Sequence, residues 1–599
     1  MVRRFSLVFI APLVVFLGCS RSVVCPNTNV LLISIDTCRA DHTSPYGYEN
    51  IKTPTMQALA GEGILFEDAL TPVPMTLPGH SSLLTGWYPA RHGVRDNANY
   101  MLDNEAVTLA EVFQENGYAT AGFVAAMLLS RQRGMAQGFD TFDDEFPPMA
   151  FRAGTPTVER QAEEIGQSAI EWLTANDRFP FFLFVHFYDP HVPYDPPSPW
   201  SKEYSGHLYD GEIAYADYHA GQIIVWLQEN DLLKNTLVVV TADHGESLWE
   251  HHEMAHGMFL YNCTLRVPLI VRLPDRVRSS RLEGVRVQGA VSLVDVMPSI
   301  LELEDLPCPE VDGTSFVPCL AGEKRHIEPL YAESLYPLFF NWSPLYAIYE
   351  HPWKFILAPE PELYNLVDDP KEETNLYSED HPKVAQLKPV LEDKIAQLEE
   401  SSHVASLNPE NAEVIASLGY VGGGTIDNAT ISRLPDPKSR TRVYTLIDKG
   451  LAKLAKGELN EAELCFAQAA KQDPENPSPY LNLGDIYARR RDWPKALLYT
   501  QRTLNLAPNN LWARMQMANI LIEAEMYDEA REQLTRIREE YPLLAVAQFG
   551  LGRIAEAGED YEEALRWYAE ALRIVPNLPG LRDCISRTQG KMKRAAGAE

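Results

Sequence analysis

The apolar residues of this chain gather in short unbroken runs that stop at polar clusters. Residues 29–35 (NVLLISI) form one run, ended by Asp36. Residues 181–185 (FFLFV) form a second, followed by His186, Asp189 and His191. Residues 237–240 (LVVV) form a third, followed by Asp243-His244-Gly245. Runs of this length and composition predict strands apolar on both faces. Helical stretches such as 55–61 lie between them. The alternation predicts an α/β fold, a mostly parallel sheet covered on two sides. Ligands of such sheets bind beyond the carboxyl ends of the strands. The three polar clusters therefore mark the expected site.

Residues 401–440 break the pattern. Gly422-Gly423-Gly424, Pro435 and Pro437 mark a linker or domain edge. From 441 the chain repeats in steps of 34: Pro474, Pro508, Pro542 and Pro576; Ala462, Ala496, Ala530 and Ala564; Gly450, Gly484, Ala518 and Gly552. This resembles the tetratricopeptide repeat, two antiparallel helices per unit. The small residues let paired helices approach closely, and each Pro ends a second helix. Four repeats over 441–585 and a tail at 586–599 are expected, an all-α solenoid whose groove takes a protein or peptide partner. The alternative is that the repeats only pack on the upstream domain or form dimers. All 15 histidines precede residue 404, so metal chemistry belongs upstream.

A chain of 599 residues implies two or more domains. Its formal net charge of -31 makes it a poor binder of nucleic acid or anionic membrane surfaces. An anionic substrate is still admissible, because metal ions reverse the local field. Residues 1–19 read as a targeting segment: Arg3 and Arg4, an apolar run over 5–17, then Gly18-Cys19. The ending FLGC resembles a bacterial lipobox, which implies lipidation of Cys19, with residues 20–28 as a tether. An ordinary cleaved signal and an uncleaved anchor are the alternatives. All three readings export the protein, the lipobox to a bacterial cell envelope, and membrane contact is expected only through the anchor. The eight cysteines hold no C-x-x-C pair. Cys308 and Cys319 could bridge a loop, although free thiols are the favoured expectation.

The most informative segment is 29–97, which reads NVLLISIDTCRADHTSPYGY, then TPTMQALAGEGILFEDAL, then TLPGHSSLLTGWYPARHGVRDN. Further on stand DPHVPY (189–194), TADHGES (241–247), YNCTLRVPLIV (261–271), VSLVDVMPSIL (291–301), DGTSF (312–316) and ELYNLVDDPKEETNL (362–376). In this order the motifs resemble a sulfatase domain spanning 29–400. The resemblance implies an alkaline phosphatase-like, doubly wound sheet.

The family nucleophile motif is C-x-P-S-R followed by L-T-G, and its Cys becomes formylglycine. Here the aligned residues are Thr76-Leu77-Pro78-Gly79-His80, then Leu84-Thr85-Gly86. Thr cannot become formylglycine. T-x-P-x-H with a later T-G resembles the nucleotide pyrophosphatase/phosphodiesterase branch, in which a Thr hydroxyl is the nucleophile. Metal coordination activates such a hydroxyl. Pro78 suits a first helical turn, so Thr76 is expected at a helix N-terminus, where N–H groups favour negative charge. A Thr at that place is otherwise a helix cap.

The resemblance carries further residues over one by one. Asp36, Thr76, Asp243 and His244 would hold a first divalent metal, with Thr37 where the family has a second Asp. Imidazole with carboxylate favours zinc, with manganese or calcium as alternatives. Asp189, His191 and His256 would hold a second, also zinc. The family has a Lys near 256, and no Lys lies between Lys234 and Lys324. His251 and His252 compete for that site, and His186 and His80 are orienting candidates. Arg39, His80, Arg95 and Asn97 are candidates for substrate oxygens, with loop salt bridges the alternative for the arginines. The expected activity is hydrolysis of phosphate esters through a covalent Thr76 ester. The alternatives are a sulfuric ester hydrolase, a phospho-group transferase, or a repeat scaffold with an inactive hydrolase domain.

Overall fold

The computed structural model describes residues 23–97, 100–147, 150–152, 155–157, 159–279, 281–320, 329–400, 433–541, 544–574 and 580–596. The targeting segment with Cys19 lies outside them, as does most of the 401–440 linker.

Eight strands form the main sheet: β1 (Asn29–Ile35), β2 (Ile64–Phe66), β3 (Ala119–Phe123), β4 (Thr141–Asp143), β5 (Phe181–Phe187), β6 (Thr236–Thr241), β7 (Leu269–Arg272) and β8 (Val285–Val287). Their order is β8-β2-β7-β6-β1-β5-β3-β4. β1 pairs in parallel with both β5 and β6, whereas β7 runs antiparallel to β6 and β2. Every residue of β1, β5 and β6 is buried, which is why these strands read as continuous apolar runs. Two groups of helices pack with the sheet: α1 (Pro54–Glu62), α3 (Ala162–Ala175) and α4 (Leu208–Glu229) in one, α2 (Thr76–Thr85) and α5 (Val296–Leu303) in the other. The three strand ends named by the sequence lie side by side because β5, β1 and β6 are neighbours.

Residues 23–28 are no free tether. Cys25 and Thr28 are fully buried, and the Thr28 N–H and hydroxyl both donate to Glu304, just past α5. Cys308 and Cys319 are not bridged to each other.

A second antiparallel sheet follows: β9 (Leu330–Ser334), β10 (Leu345–Glu350), β11 (Trp353–Leu357) and β12 (Glu362–Asn365). Helix α6 (Pro382–Glu400) packs on it. The chain then enters a helical solenoid: α7 (Thr441–Ala455), α8 (Leu459–Gln472), α9 (Pro477–Arg489), α10 (Trp493–Leu506), α11 (Leu511–Glu523), α12 (Tyr527–Glu540), α13 (Ala545–Ala557), α14 (Tyr561–Ile574) and α15 (Leu581–Ala596). The in-phase small residues do what their spacing implied. A Cβ at Gly450 would stand 2.6 Å from the Phe466 ring, and one at Gly484 2.7 Å from the Thr500 hydroxyl. Ala462, Ala496, Ala530 and Ala564 are fully buried. Pro474 and Pro508 sit just past α8 and α10, while Pro542 and Pro576 fall outside the described residues.

The solenoid is seated on the second sheet's domain. Phe339, Phe340 and Trp342 share one apolar cluster with Val443, Tyr444 and Ile447 of α7. Trp342 is fully buried, and its indole N–H donates to Asp473 at 2.7 Å. Asn341 Nδ2 donates to the Glu475 carbonyl at 3.0 Å.

Candidate active site

Parallel pairing of β1 with β6 sets Ser34 opposite Thr241, so the residues just beyond both strands converge. Asp36 leaves β1 tied by its N–H to the Phe187 carbonyl at 2.8 Å. Thr37 then turns with φ 54°, a left-handed conformation uncommon for a threonine. Asp243 Oδ1 accepts from the N–H groups of Thr37 at 3.2 Å and His244 at 2.9 Å. The two strand ends are thereby locked together through one carboxylate oxygen.

Helix α2 brings the hydroxyl. It begins at Thr76, in keeping with the place of Pro78, and Met75 at its N-cap supplies no side-chain cap. Asn97 fills that gap, its Oδ1 accepting from the Leu77 N–H at 2.9 Å. Thr76 Oγ1 lies 3.4 Å from His244 Nε2. His244 Nε2 lies 3.3 Å from Asp243 Oδ2 and 3.9 Å from Asp36 Oδ1. Asp36, Thr76, Asp243 and His244 are all fully buried. The first expected ligand set is therefore gathered in space. Among the described residues, Asp36, Asp243 and His244 form a group whose ligand atoms all lie within 4.8 Å of one another.

Hydrogen bonding fixes which ring nitrogens face the centre. His244 Nδ1 is 2.8 Å from the Gly245 carbonyl, which can only accept, so Nδ1 carries the proton and Nε2 presents a lone pair. His80 Nδ1 is likewise bound to the Thr76 carbonyl at 2.8 Å, and its Nε2 accepts from Ser34 Oγ at 2.9 Å. His186 Nδ1 accepts from the Ala125 N–H, so its Nε2 donates to Asp36 Oδ2 at 3.2 Å. His80 and His186 thus orient Thr76 and Asp36.

Electrostatics make the four-residue centre a cation site. Burial, then the charges of Asp243 and Glu246, push the Asp36 carboxyl well above its usual range. Burial does the same to Asp243. Burial holds His186 and His244 well below the usual imidazole value, and His80 at about 4. Asp36 Oδ1 and Asp243 Oδ2 are buried with no hydrogen-bond partner of normal geometry among the described residues. Two such oxygens facing a neutral imidazole lone pair are costly alone. A divalent cation fits this donor set, because it satisfies all three and reverses the local field.

The second expected set is only partly assembled. The His256 and His244 ring centroids are 4.3 Å apart, and those of His256 and His191 5.1 Å. His191 Nδ1 is bound to the Val192 carbonyl at 2.7 Å, while its Nε2 is buried without a hydrogen-bond partner among the described residues. Burial holds both rings at about 3, so they are neutral. Asp189 Oδ1 accepts from the Ala162 N–H at 3.1 Å, at the start of α3. These three residues are not drawn together as closely as the first set. His251 stacks on Tyr261, its Nε2 3.1 Å from the Lys371 carbonyl.

Two candidates for substrate contact are engaged elsewhere. Arg39 binds Asp41, Glu250 and the Glu246 carbonyl. Arg95 makes a two-pronged pair with Glu333 at 2.7 and 2.8 Å. Their carboxylate partners fix both side chains as structural bridges. Asn97 is different, since its Nδ2, beside the start of α2, is buried with no acceptor among the described residues. One residue went unread in the sequence. Glu246, fully buried, holds His256 Nδ1 at 2.9 Å and so turns Nε2 of that ring away from itself. Its place two residues after His244 was the available signal.

Comparison with known proteins agrees with this geometry. The sulfatase family profile matches residues 28–306, and that of the N-sulphoglucosamine sulphohydrolase C-terminal domain matches 250–401. Tetratricopeptide repeat profiles match 447–510 and 515–579. Arylsulfatase K of Xenopus laevis is 23% identical over 448 residues, 60% of this chain and 81% of that protein. The ulvan-active sulfatase of Formosa agariphila is 28% identical over 323 residues, 47% and 62% of the two chains. Among solved structures, phosphonate monoester hydrolase of Agrobacterium radiobacter superimposes with a TM-score of 0.52 at 21% identity, covering 62% of this chain and 95% of that one. Ps i-CgsB in complex with k-i-k-neocarrahexaose gives 0.53 at 22% identity, covering 65% and 97%. The chain carries a sulfatase-family domain, an ester hydrolase of the sulfatase and alkaline phosphatase superfamily, fused to C-terminal tetratricopeptide repeats.

Proposed function

We propose that the chain is a metal-dependent hydrolase of phosphate esters that works through a covalent ester of Thr76. The observation that carries this reading is the Thr76 hydroxyl at the first position of α2, 3.4 Å from His244 Nε2, where the sulfatase motif has its Cys. A threonine has no route to the formylglycine aldehyde, whereas a hydroxyl can attack phosphorus directly.

Asp36, Thr76, Asp243 and His244 would hold the first divalent ion, of the zinc class by donor type. His191 and His256, with Asp189, are the candidates for a second. Such ions supply a lowered hydroxyl pKa and charge withdrawal from the ester oxygens. The chain's own groups do the rest. Thr76 Oγ bonds to phosphorus as the bond to the alcohol breaks, and the hydroxyl proton ends on the departing alcohol. The Asn97 Nδ2–H, without an acceptor among the described residues, donates to a non-bridging oxygen. The positive end of the α2 helix dipole favours the same negative charge. Water then cleaves the Thr76 ester and restores the hydroxyl.

A second reading, hydrolysis of sulfuric esters, is favoured by the names of the relatives, most of which are sulfatases. Turnover of p-nitrophenyl phosphate, bis-p-nitrophenyl phosphate and p-nitrophenyl sulfate with added zinc, manganese or calcium separates the two. Phosphorus substrates are expected to dominate and Thr76→Ala to be inactive. Sulfate turnover equal to or above phosphate turnover reverses the ranking. Export to a bacterial envelope, carried by residues 1–19, and a protein partner for the repeats complete the proposal.

A further inference from the structure

The first repeat helix reaches the catalytic domain's own loops. α7 runs beside the hairpin of residues 150–152 and 155–157 and packs against the Tyr336–Phe340 turn. Between them lies a cavity of about 10 Å³, lined by Tyr336, Phe339, Phe340, Ile447, Leu451, Asp448 and Ser478. Asp448 Oδ2 is buried with no hydrogen-bond partner among the described residues. Burial first, then the charges of Glu246 and Asp448, push the nearby Glu253 carboxyl well above its usual range, so the pocket borders an acidic region.

Chemistry and size together narrow the occupant. A lone carboxylate among aromatic rings attracts a cation, which the ring faces also favour. A volume of about 10 Å³ holds one water-sized group. A primary ammonium has that size, and a guanidinium or trimethylammonium does not.

One loop stands between the cavity wall and the candidate metal centre. Gly257 follows His256, and a Cβ there would stand 3.5 Å from the Tyr336 ring. The Ser334 hydroxyl donates to the Gly257 carbonyl, pinning that loop to β9. The His256 ring is in turn 4.3 Å from that of His244.

We propose that this cavity takes a primary ammonium group carried on an arm of the ester substrate, with Asp448 as its counter-ion. The first repeat thereby selects the substrate, an ester of an amino alcohol. The inference rests on the ester hydrolase reading and specifies its substrate class.

The test uses the full chain and p-nitrophenyl phosphodiesters whose second arm is aminoethyl, aminobutyl or aminohexyl, each beside its plain alkyl counterpart. An amino arm of fitting length should raise kcat/KM by about tenfold or more over the alkyl arm, as a charged hydrogen bond does. Asp448→Asn should erase that preference and leave the alkyl esters unchanged. Equal turnover of amino and alkyl esters, or a preference that survives in Asp448→Asn, overturns the proposal. Calorimetric titration with n-butylammonium chloride decides the pocket independently of turnover. If no phosphodiester is cleaved, the ester reading fails, yet binding lost in Asp448→Asn still upholds the pocket. Absence of binding to the wild-type chain overturns it, leaving a buried water as the occupant.

Discussion

Gly79 of α2 lies flat against Asp243: a Cβ at residue 79 would stand 3.1 Å from the Asp243 carbonyl oxygen and 3.4 Å from its Cβ. The missing side chain lets the helix that carries Thr76 approach the strand end that carries two candidate cation ligands, Asp243 and His244. Gly79→Ala must therefore push α2 outward by a few tenths of an ångström. Because displacements of reacting atoms are costly to catalysis, kcat should fall by about tenfold or more while the melting temperature changes little. Steady-state kinetics beside a thermal melt check this. Unchanged kcat would show that the contact is not needed.

Glu246 acts through His256. Glu246→Ala removes the acceptor from Nδ1 and frees the ring to rotate. Zinc affinity, measured by competition with a chromophoric chelator, should fall by ~10–100-fold, the usual cost of losing such a partner. Glu246→Gln keeps an acceptor oxygen and should recover part of the loss. Equal affinity in all three proteins would make Glu246 a packing residue only.

The solenoid seam depends on Trp342. Trp342→Ala empties a fully buried site and strands Asp473 without its indole donor. A loss of about 3–5 kcal/mol is expected, by analogy with other buried Trp truncations. Urea unfolding should show the repeats losing their support earlier than in the wild-type chain. Coincident curves would mean that the repeats stand without the seam.

At the far end of the solenoid, hydrogen bonds from Arg587 first and then Lys591 hold the Glu556 carboxyl at about 2, below its usual 4.5. A depressed carboxyl stabilises the fold above its unfolded value and loses that contribution as pH falls through the folded one. The α13–α15 contact should weaken between pH 4.5 and about 2. Hydrogen exchange of α15 followed through an acid titration reads this, and Glu556→Gln should flatten the response in that window.

Much of the centre was legible because chemistry and pattern coincide there. Asp36, Asp243 and His244 each follow an apolar run, and adjacent parallel strands bring such ends together. Thr76 was placed at a helix start by Pro78, two residues on. What stayed hidden depends on partners remote in sequence. The salt-bridge partners of Arg39 and Arg95 could not be named, because Glu250 and Glu333 stand more than 200 residues away from them. The roles of His80 and His186 follow from Ser34 and Ala125, set beside them by the fold rather than by sequence spacing. The repeats read as a separate module, since nothing in a 34-residue period tells that Tyr444 and Ile447 share a cluster with Phe340 and Trp342.

The account stands on the Thr76 hydroxyl as the attacking group. Acid-quenched enzyme taken during turnover of bis-p-nitrophenyl phosphate, digested and analysed by mass spectrometry, locates that group directly. A phosphoryl adduct on Thr76, absent from an inactive Thr76→Ala variant, is the expected result. An adduct on another residue, or a Thr76→Ala variant that turns over like the wild type, would contradict it.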